Sequence, residues 1–274
     1  MRKTKLVSMY GLGITLILFP LFMTSWDVLF YLLGSTAHFL LWLNAAFLAL
    51  CLFSLVASAY HIQKCYSLID IMANSDTKYA TLKQWVSNIY PDSVKLYLYN
   101  DASPNAFAVD SGFSQKVYLS IGLLELADDN QVVSVLKYIK LSMDTGITFY
   151  QTLMVSMLNG FMYTPYLIIR WFIGQSAISE LLLSVFSFIM GGLPLALSVA
   201  INREFIKHGD RLFHENSTAV DNVSFSLAIK NSALNARKYS ISREPELITF
   251  INARYSGLFA THPSLDIRLA GINS

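Results

Sequence analysis

The sequence has few charged residues and few cysteines. Only 14% of its 274 residues are charged and 54% are hydrophobic, whereas soluble domains have about 25% charged residues. The two cysteines, Cys51 and Cys65, are too few for a disulfide framework and are predicted to be free thiols. The net charge of +2, without a basic stripe, argues against a nucleic-acid partner.

Four long runs carry no charge. They are Leu6–Trp26, Val28–Tyr60 (with its best window at Leu40–Ala59), Ile147–Ile169 and Leu181–Asn202. A membrane-spanning helix needs about 20 apolar residues, so the runs predict four transmembrane helices, the first an uncleaved anchor. Of the 20 basic residues, all except Arg170 then fall on one side. Both termini and the polar segments are therefore predicted to be cytoplasmic, and the lipid bilayer is a predicted partner.

The runs divide the chain into four predicted parts: residues 1–60, a first pair of spans; 61–146, a first polar half; 147–202, a helical hairpin; and 203–274, a second polar half. The alternation of Lys95–Asn100, and the short apolar runs Phe107–Val109 and Val117–Ser120, predict strands. Helices are predicted at His61–Asn74, Thr81–Ile89, about Asn130–Asp144, Arg203–Phe213, Val220–Arg237 and Leu265–Ile272.

Several short patches, in this order, resemble HtpX-type membrane zinc metallopeptidases. They are LYLY at Leu96–Tyr99, NAFA at Asn105–Ala108, SIGLL at Ser120–Leu124, REF at Arg203–Phe205 and THPSLDIR at Thr261–Arg268. The resemblance implies an α+β membrane protein, mainly α, whose zincin-like cytoplasmic domain carries a small β-sheet. It also implies location in a bacterial inner membrane.

The zinc-binding motif of that family is missing. H-E-x-x-H places two histidine ligands and a general base on one helix face. Aligned with the family, the ligand positions hold Tyr138 and Ser142, and the base position holds Ile139. The resemblance places Glu204 at the third-ligand position, with His208 where the family has an aspartate four residues later. The sequence therefore predicts no catalytic residues, no metal site and no cofactor.

Two further sites are predicted. Glu204 and His208 lie four apart on one helix face, and together with His262 they are a candidate rebuilt zinc site. The resemblance places Asn105, Ala106 and Phe107 beside the substrate cleft, where they would hold an extended peptide. Asn105 is equally interpretable as a turn residue that caps a strand.

The leading functional hypothesis is a pseudoprotease for membrane protein quality control. It would bind unfolded membrane proteins or an active membrane protease, because strand addition uses backbone groups and needs no zinc. The alternatives are an active zinc endopeptidase with a divergent metal site and a membrane scaffold. Transport is disfavoured, because the predicted spans contain few polar groups.

Overall fold

The computed structural model describes residues 68–74, 76–90, 93–154, 199–236 and 262–273. The chain divides into two compact units, and nearly all of these residues belong to the unit formed by Ser58–Thr152 and Leu195–Ser274. This unit is therefore built from two separate chain segments. The predicted boundaries of the four parts stay predictions.

A four-stranded sheet forms the first layer of the unit. Its strands are β1 Leu68–Asp70, β2 Lys95–Tyr99, β3 Ala106–Asp110 and β4 Gln115–Ser120, in the spatial order β1-β2-β4-β3. β2 and β4 are parallel, whereas β1–β2 and β3–β4 are antiparallel. β3 therefore lies at an edge of this sheet, next to β4. The two strands pair from Ala106 opposite Leu119 to Asp110 opposite Gln115.

Helices form the second layer. They are α1 Ala80–Ile89, α2 Ile121–Leu126, α3 Asp129–Asp144, α4 at residues 147–154, α5 at residues 199–216, α6 Ala219–Ala236 and α7 Leu265–Asn273. Asp128 caps α3, since its side chain accepts a hydrogen bond from the Gln131 N–H at 2.8 Å. Ser120 caps α2 in the same way through the Leu123 N–H.

The core lies between one face of the sheet and α3. The alternate residues of β2, β3 and β4 on that face are aliphatic: Leu96, Leu98, Ala106, Ala108, Val117 and Leu119. Most of the intervening residues carry aromatic rings, and Phe107 stacks on Tyr118 with ring centroids 4.7 Å apart. Because side chains alternate across a strand, this pattern determines which side chains of β3 face the core and fixes the register of β3 against β4.

The sequence-based prediction of fold class requires correction. It expected a mainly α membrane protein with about four transmembrane helices. Among the residues listed above as described, no helix is both long enough and apolar enough to cross a membrane, and those residues form a mixed sheet packed against helices. The runs Leu6–Trp26 and Val28–Tyr60 lie outside the described residues, as does most of Ile147–Ile169 and Leu181–Asn202.

Most of the local predictions in the polar segments are confirmed. The strands at Lys95–Asn100, Phe107–Val109 and Val117–Ser120 are present with slightly different ends. The helices predicted at Thr81–Ile89, Asn130–Asp144, Val220–Arg237 and Leu265–Ile272 begin and end within one residue of their predicted bounds. The helix predicted at Arg203–Phe213 is present but longer, since α5 covers residues 199–216. The prediction of a helix over His61–Asn74 is wrong for its described part. Leu68–Asp70 is a strand that pairs with β2, and the Asp70 carboxylate then accepts a hydrogen bond from the Met72 N–H in the turn that follows.

Candidate functional site

A small cavity lies between the edge strand β3 and α3. Its volume is about 40 Å³, which is room for about two or three water molecules. The cavity includes all three positions where the resemblance expects the catalytic residues. Its lining consists of Ala106, Phe107, Ala108, Tyr138, Ile139, Ser142, Ile147, Thr148, Gln151, Ile206 and Arg268.

Tyr138, which the resemblance aligns with the first ligand position, has a hydrogen-bonded hydroxyl group. The hydroxyl donates to Asp210 and accepts from Ser142, one helical turn further on, and from Arg268. The ring packs against Phe225 at 4.6 Å between centroids. Burial raises the pKa of Tyr138, and the Asp210 carboxylate raises it further. The phenol is therefore neutral, whereas a metal would need the phenolate.

Asp210 and Arg268 form a buried, two-point ion pair. Arg268 Nε lies 2.8 Å from Asp210 Oδ2 and its Nη2 lies 2.9 Å from Oδ1, and the two side chains are 3% and 1% exposed. Burial alone would lower the pKa of Arg268, but the Asp210 carboxylate outweighs it and the pKa is raised. The pair ties α7 to α5, and Tyr138 connects both helices to α3.

Glu204, expected as the third ligand, lies away from the cavity. Its side chain is 72% exposed and pairs with Lys207 at 2.6 Å. Ile206, which is buried, lines the cavity in its place. Asp210, four residues after Ile206, is buried as well. An acidic residue four positions after Ile206 is therefore the sequence signal that singles out this face of α5.

These side chains do not fit a zinc ion. The positions that the resemblance aligns with two imidazoles and a general base hold Tyr138, Ser142 and Ile139, and Ile206 rather than Glu204 lines the cavity, so the only oxygen donors among these residues are hydroxyls. The rebuilt site of Glu204, His208 and His262 is also not formed. No three His, Cys, Asp or Glu side chains in the described ranges lie close enough together to share a metal ion.

The edge of β3 that faces away from β4 borders the cavity. Asn105 accepts from the Ser120 N–H at 3.0 Å and Ser111 donates to Ser114 at 3.1 Å, so the odd-numbered residues between them bond to β4. Ala106, Ala108 and Asp110 direct their backbone groups away from β4. The Ala106 and Asp110 N–H groups donate to side chains, at 2.9 and 3.2 Å. None of the described residues bonds to the Ala108 N–H.

Asn105 has the contacts of a strand-capping residue. It is 3% exposed, its N–H donates to Ser120 Oγ at 2.8 Å, and its Oδ1 accepts from the Ala106 N–H. Of the three predicted peptide-binding residues, Ala106 and Phe107 line the cavity and Asn105 does not. Ala108, which was not among the predicted residues, also lines the cavity and is 5% exposed.

Polar residues of α4 face the same cavity. Thr148 and Gln151 line it, and the Gln151 amide donates to Asn202 Oδ1 at 2.8 Å, which fixes α4 to α5. One turn further along α4, the Thr152 hydroxyl accepts from the Asp110 N–H. The far end of the β3 edge is thus closed by α4, and the rest of the strand is buried as well, with Ala108 5% exposed.

The fold is similar to that of a solved membrane-protein structure. The chain is similar to S. mikatae Ste24p, with a TM-score of 0.56 and 12% sequence identity over 100% of this chain and 67% of the Ste24p chain. Ste24p has the same broad membrane-metallopeptidase fold as the HtpX type. No protein-family model matches the chain, and no curated protein matches it by sequence. At this identity the likeness extends to the fold alone.

Proposed function

We propose that this protein is a non-catalytic relative of membrane metalloproteases that binds a short extended peptide segment against β3 without cleaving it. One observation carries the proposal: the cavity beside the β3 edge is formed by Tyr138, Ile139 and Ser142 in place of a metal-binding set. The likeness to Ste24p supports a metalloprotease-like fold. The loss of catalysis and the binding of peptide are our inferences from the site.

The chemistry of the cavity argues against peptide hydrolysis. Enzymes lower the barriers of their reactions by about 8–23 kcal/mol, and in this fold a metal-bound water and a carboxylate base would supply that reduction. Ile139 cannot accept a proton. The hydroxyls of Tyr138 and Ser142 are already hydrogen-bonded to each other, and Tyr138 also to Asp210.

The backbone at Ala108 favours peptide binding. An extended segment beside β3 would meet the Ala108 N–H and C=O groups and the Ala106 C=O, which point away from β4. Strand addition of this kind takes its affinity from main-chain hydrogen bonds and its specificity from alternate side chains. The small cavity suits a small apolar side chain. Unfolded membrane proteins, or a segment of an active membrane protease, are the proposed partners.

A peptide-binding assay with a backbone variant tests the proposal. Ala108→Pro removes the open N–H, and proline is tolerated on an edge strand when its nitrogen faces away from the ladder. We expect fluorescence anisotropy of a labelled extended octapeptide to show at least about a tenfold weaker affinity, since a lost main-chain bond and a steric block each cost on the order of 1 kcal/mol or more.

Phe113→Ala is the matched control, because Phe113 is 87% exposed at the tip of the same hairpin; this variant should bind like the parent. Equal affinity of the Ala108→Pro variant and the parent would contradict the binding mode. Hydrolysis of an unfolded substrate by the purified protein, abolished by a chelator, would contradict the non-catalytic reading.

Restoring the ligands tests the assignment of position 206. A variant carrying Tyr138→His, Ile139→Glu, Ser142→His and Ile206→Glu should retain about one zinc ion per chain after dialysis, measured by elemental analysis, because zinc sites take three protein ligands. The matched control carries the first three changes alone, with Glu204 as the remaining carboxylate, and should retain much less. Equal zinc in both variants would show that Glu204 reaches the site.

A further inference from the structure

We propose that the exposed face of α6 is an interface between two copies of this chain, with the two α6 helices antiparallel. The face is formed by Val220, Val223, Leu227, Lys230 and Leu234, which we call the α6 seam. The four apolar members are 68%, 61%, 44% and 54% exposed. This inference is independent of the proposed peptide binding, since the seam lies outside the cavity lining.

The opposite face of α6 is already part of the core. Phe225, Ala228 and Ile229 are at most 1% exposed, and Phe225 packs against Tyr138 and Phe213. A helix on a protein surface usually has one apolar stripe and one polar face. α6 has apolar side chains on both, which predicts that the second stripe is also covered in the functional state.

The spacing of the seam identifies a helix as the covering element. Its members follow one another at intervals of three, four, three and four residues, which is the heptad repeat of paired helices. A two-fold dimer needs a self-complementary patch. With two seams antiparallel, Val223 of one copy lies against Leu227 of the other, and Leu227 lies against the other copy's Val223, so two identical Leu–Val layers form the centre.

Charge favours the antiparallel arrangement. Parallel helices in register would bring the two Lys230 side chains together, which is repulsive. In the antiparallel register above, Lys230 lies opposite Val220 of the other copy, and the lysine stem covers the valine. The neighbouring Asp221 is 13% exposed and is paired with Lys137 of its own copy at 2.8 Å. The antiparallel register therefore keeps the two Lys230 charges apart.

The area of the seam predicts a weak dimer. The exposed apolar surface of its four residues is roughly 400 Å² per copy, within the range of large functional patches on monomers. Two copies would bury on the order of 1,000 Å² once the rim is included, which is at the low end for specific complexes. We therefore expect a reversible dimer with a dissociation constant in the micromolar range.

Sedimentation equilibrium of the full-length chain tests the interface. We expect a concentration-dependent dimer, and at least about a tenfold weaker association for Leu227→Glu, because truncating or charging a central contact removes most of the energy of a small interface. Leu126→Glu is the matched control, since Leu126 is 42% exposed elsewhere, and it should dimerise like the parent. Val223→Lys is a second disrupting variant, in case Leu227→Glu lowers the melting temperature.

Three results would overturn the proposal. They are a monomer at concentrations up to on the order of 100 μM, a dimer that both seam variants leave intact, or a monomer whose seam binds lipid vesicles and loses that binding in Leu227→Glu. The last result would identify a membrane surface as the partner of the seam.

Cysteine cross-linking tests the orientation. In a chain with Cys51→Ser and Cys65→Ser, we introduce Val223→Cys in one preparation and Leu227→Cys in another. In an antiparallel dimer, position 223 of one copy faces position 227 of the other, within reach of a disulfide. A mixture of the two preparations should therefore form a disulfide-linked heterodimer faster than either preparation alone forms a disulfide-linked homodimer. Faster homodimer formation in the separate preparations would indicate parallel helices and overturn the arrangement.

Discussion

The buried pair of Arg268 and Asp210 should be the most sensitive point of the fold to a single substitution. Arg268→Met keeps much of the side-chain volume and removes the charge, which leaves the Asp210 carboxylate 1% exposed and without its two-point partner. Removing one member of a buried pair costs about 3–5 kcal/mol. For a domain of this size we expect the melting temperature to fall by about 10 °C, measured by circular dichroism.

Two further variants separate charge burial from packing. Arg268→Met combined with Asp210→Leu should recover at least half of the loss, because replacing both charges by apolar groups is often nearly neutral. Lys137→Met applies the same substitution to the exposed pair of Lys137 and Asp221, which lie 2.8 Å apart, and should cost at most about 1 kcal/mol. A loss below about 1 kcal/mol for Arg268→Met alone, or no recovery in the double variant, would refute the reasoning.

Two other outcomes follow from the structure. Gly122→Ala should destabilise the domain by about 2–3 kcal/mol, because a Cβ at that position would lie 2.2 Å from the backbone oxygen of Ala102; thermal melting within 1 °C of the parent would contradict the close contact. Burial alone would raise the pKa of Asp221, but hydrogen bonds from Lys137 and Thr218 lower it. The stabilisation, about 0.5 kcal/mol for this partly exposed pair, should therefore be present at neutral pH and lost as the pH falls below about 4. Urea unfolding of Asp221→Asn against the parent at several pH values measures it, and a constant difference down to pH 2 would be the contrary result.

The sequence predicts the local structure of the polar segments well, because the local signals are strong there. The alternation of Lys95–Tyr99 matches a strand with one aliphatic and one aromatic face, and Asp128 marks the start of α3. β1 was missed because Leu68–Asp70 has only three residues and pairs with β2, so its conformation depends on a distant partner. A three-residue strand leaves no period to detect.

The side-chain contacts of the candidate site could not be predicted from the sequence. The missing motif at Tyr138, Ile139 and Ser142 is visible in the sequence. The network that joins Tyr138 to Asp210 and Arg268 is not, because these residues are far apart along the chain and meet only when α3, α5 and α7 pack together. Glu204 resembled a zinc ligand only because it lies in the REF patch at Arg203–Phe205. The burial pattern of α5, with Asn202, Ile206 and Asp210 all inside, decides which face meets the cavity.

The position of β4 between two strands gives the sheet uneven amide protection. Amides of β4 are enclosed by β2 and β3 and should exchange with deuterium slowly, whereas the Ala108 amide, which points away from β4, should exchange faster than its neighbours Phe107 and Val109, which bond to β4. A peptide that adds a strand would slow this one amide and leave the others unchanged. The exchange rate of the Ala108 amide would therefore report whether a ligand is bound beside β3. The measurement needs no label on the protein or the ligand.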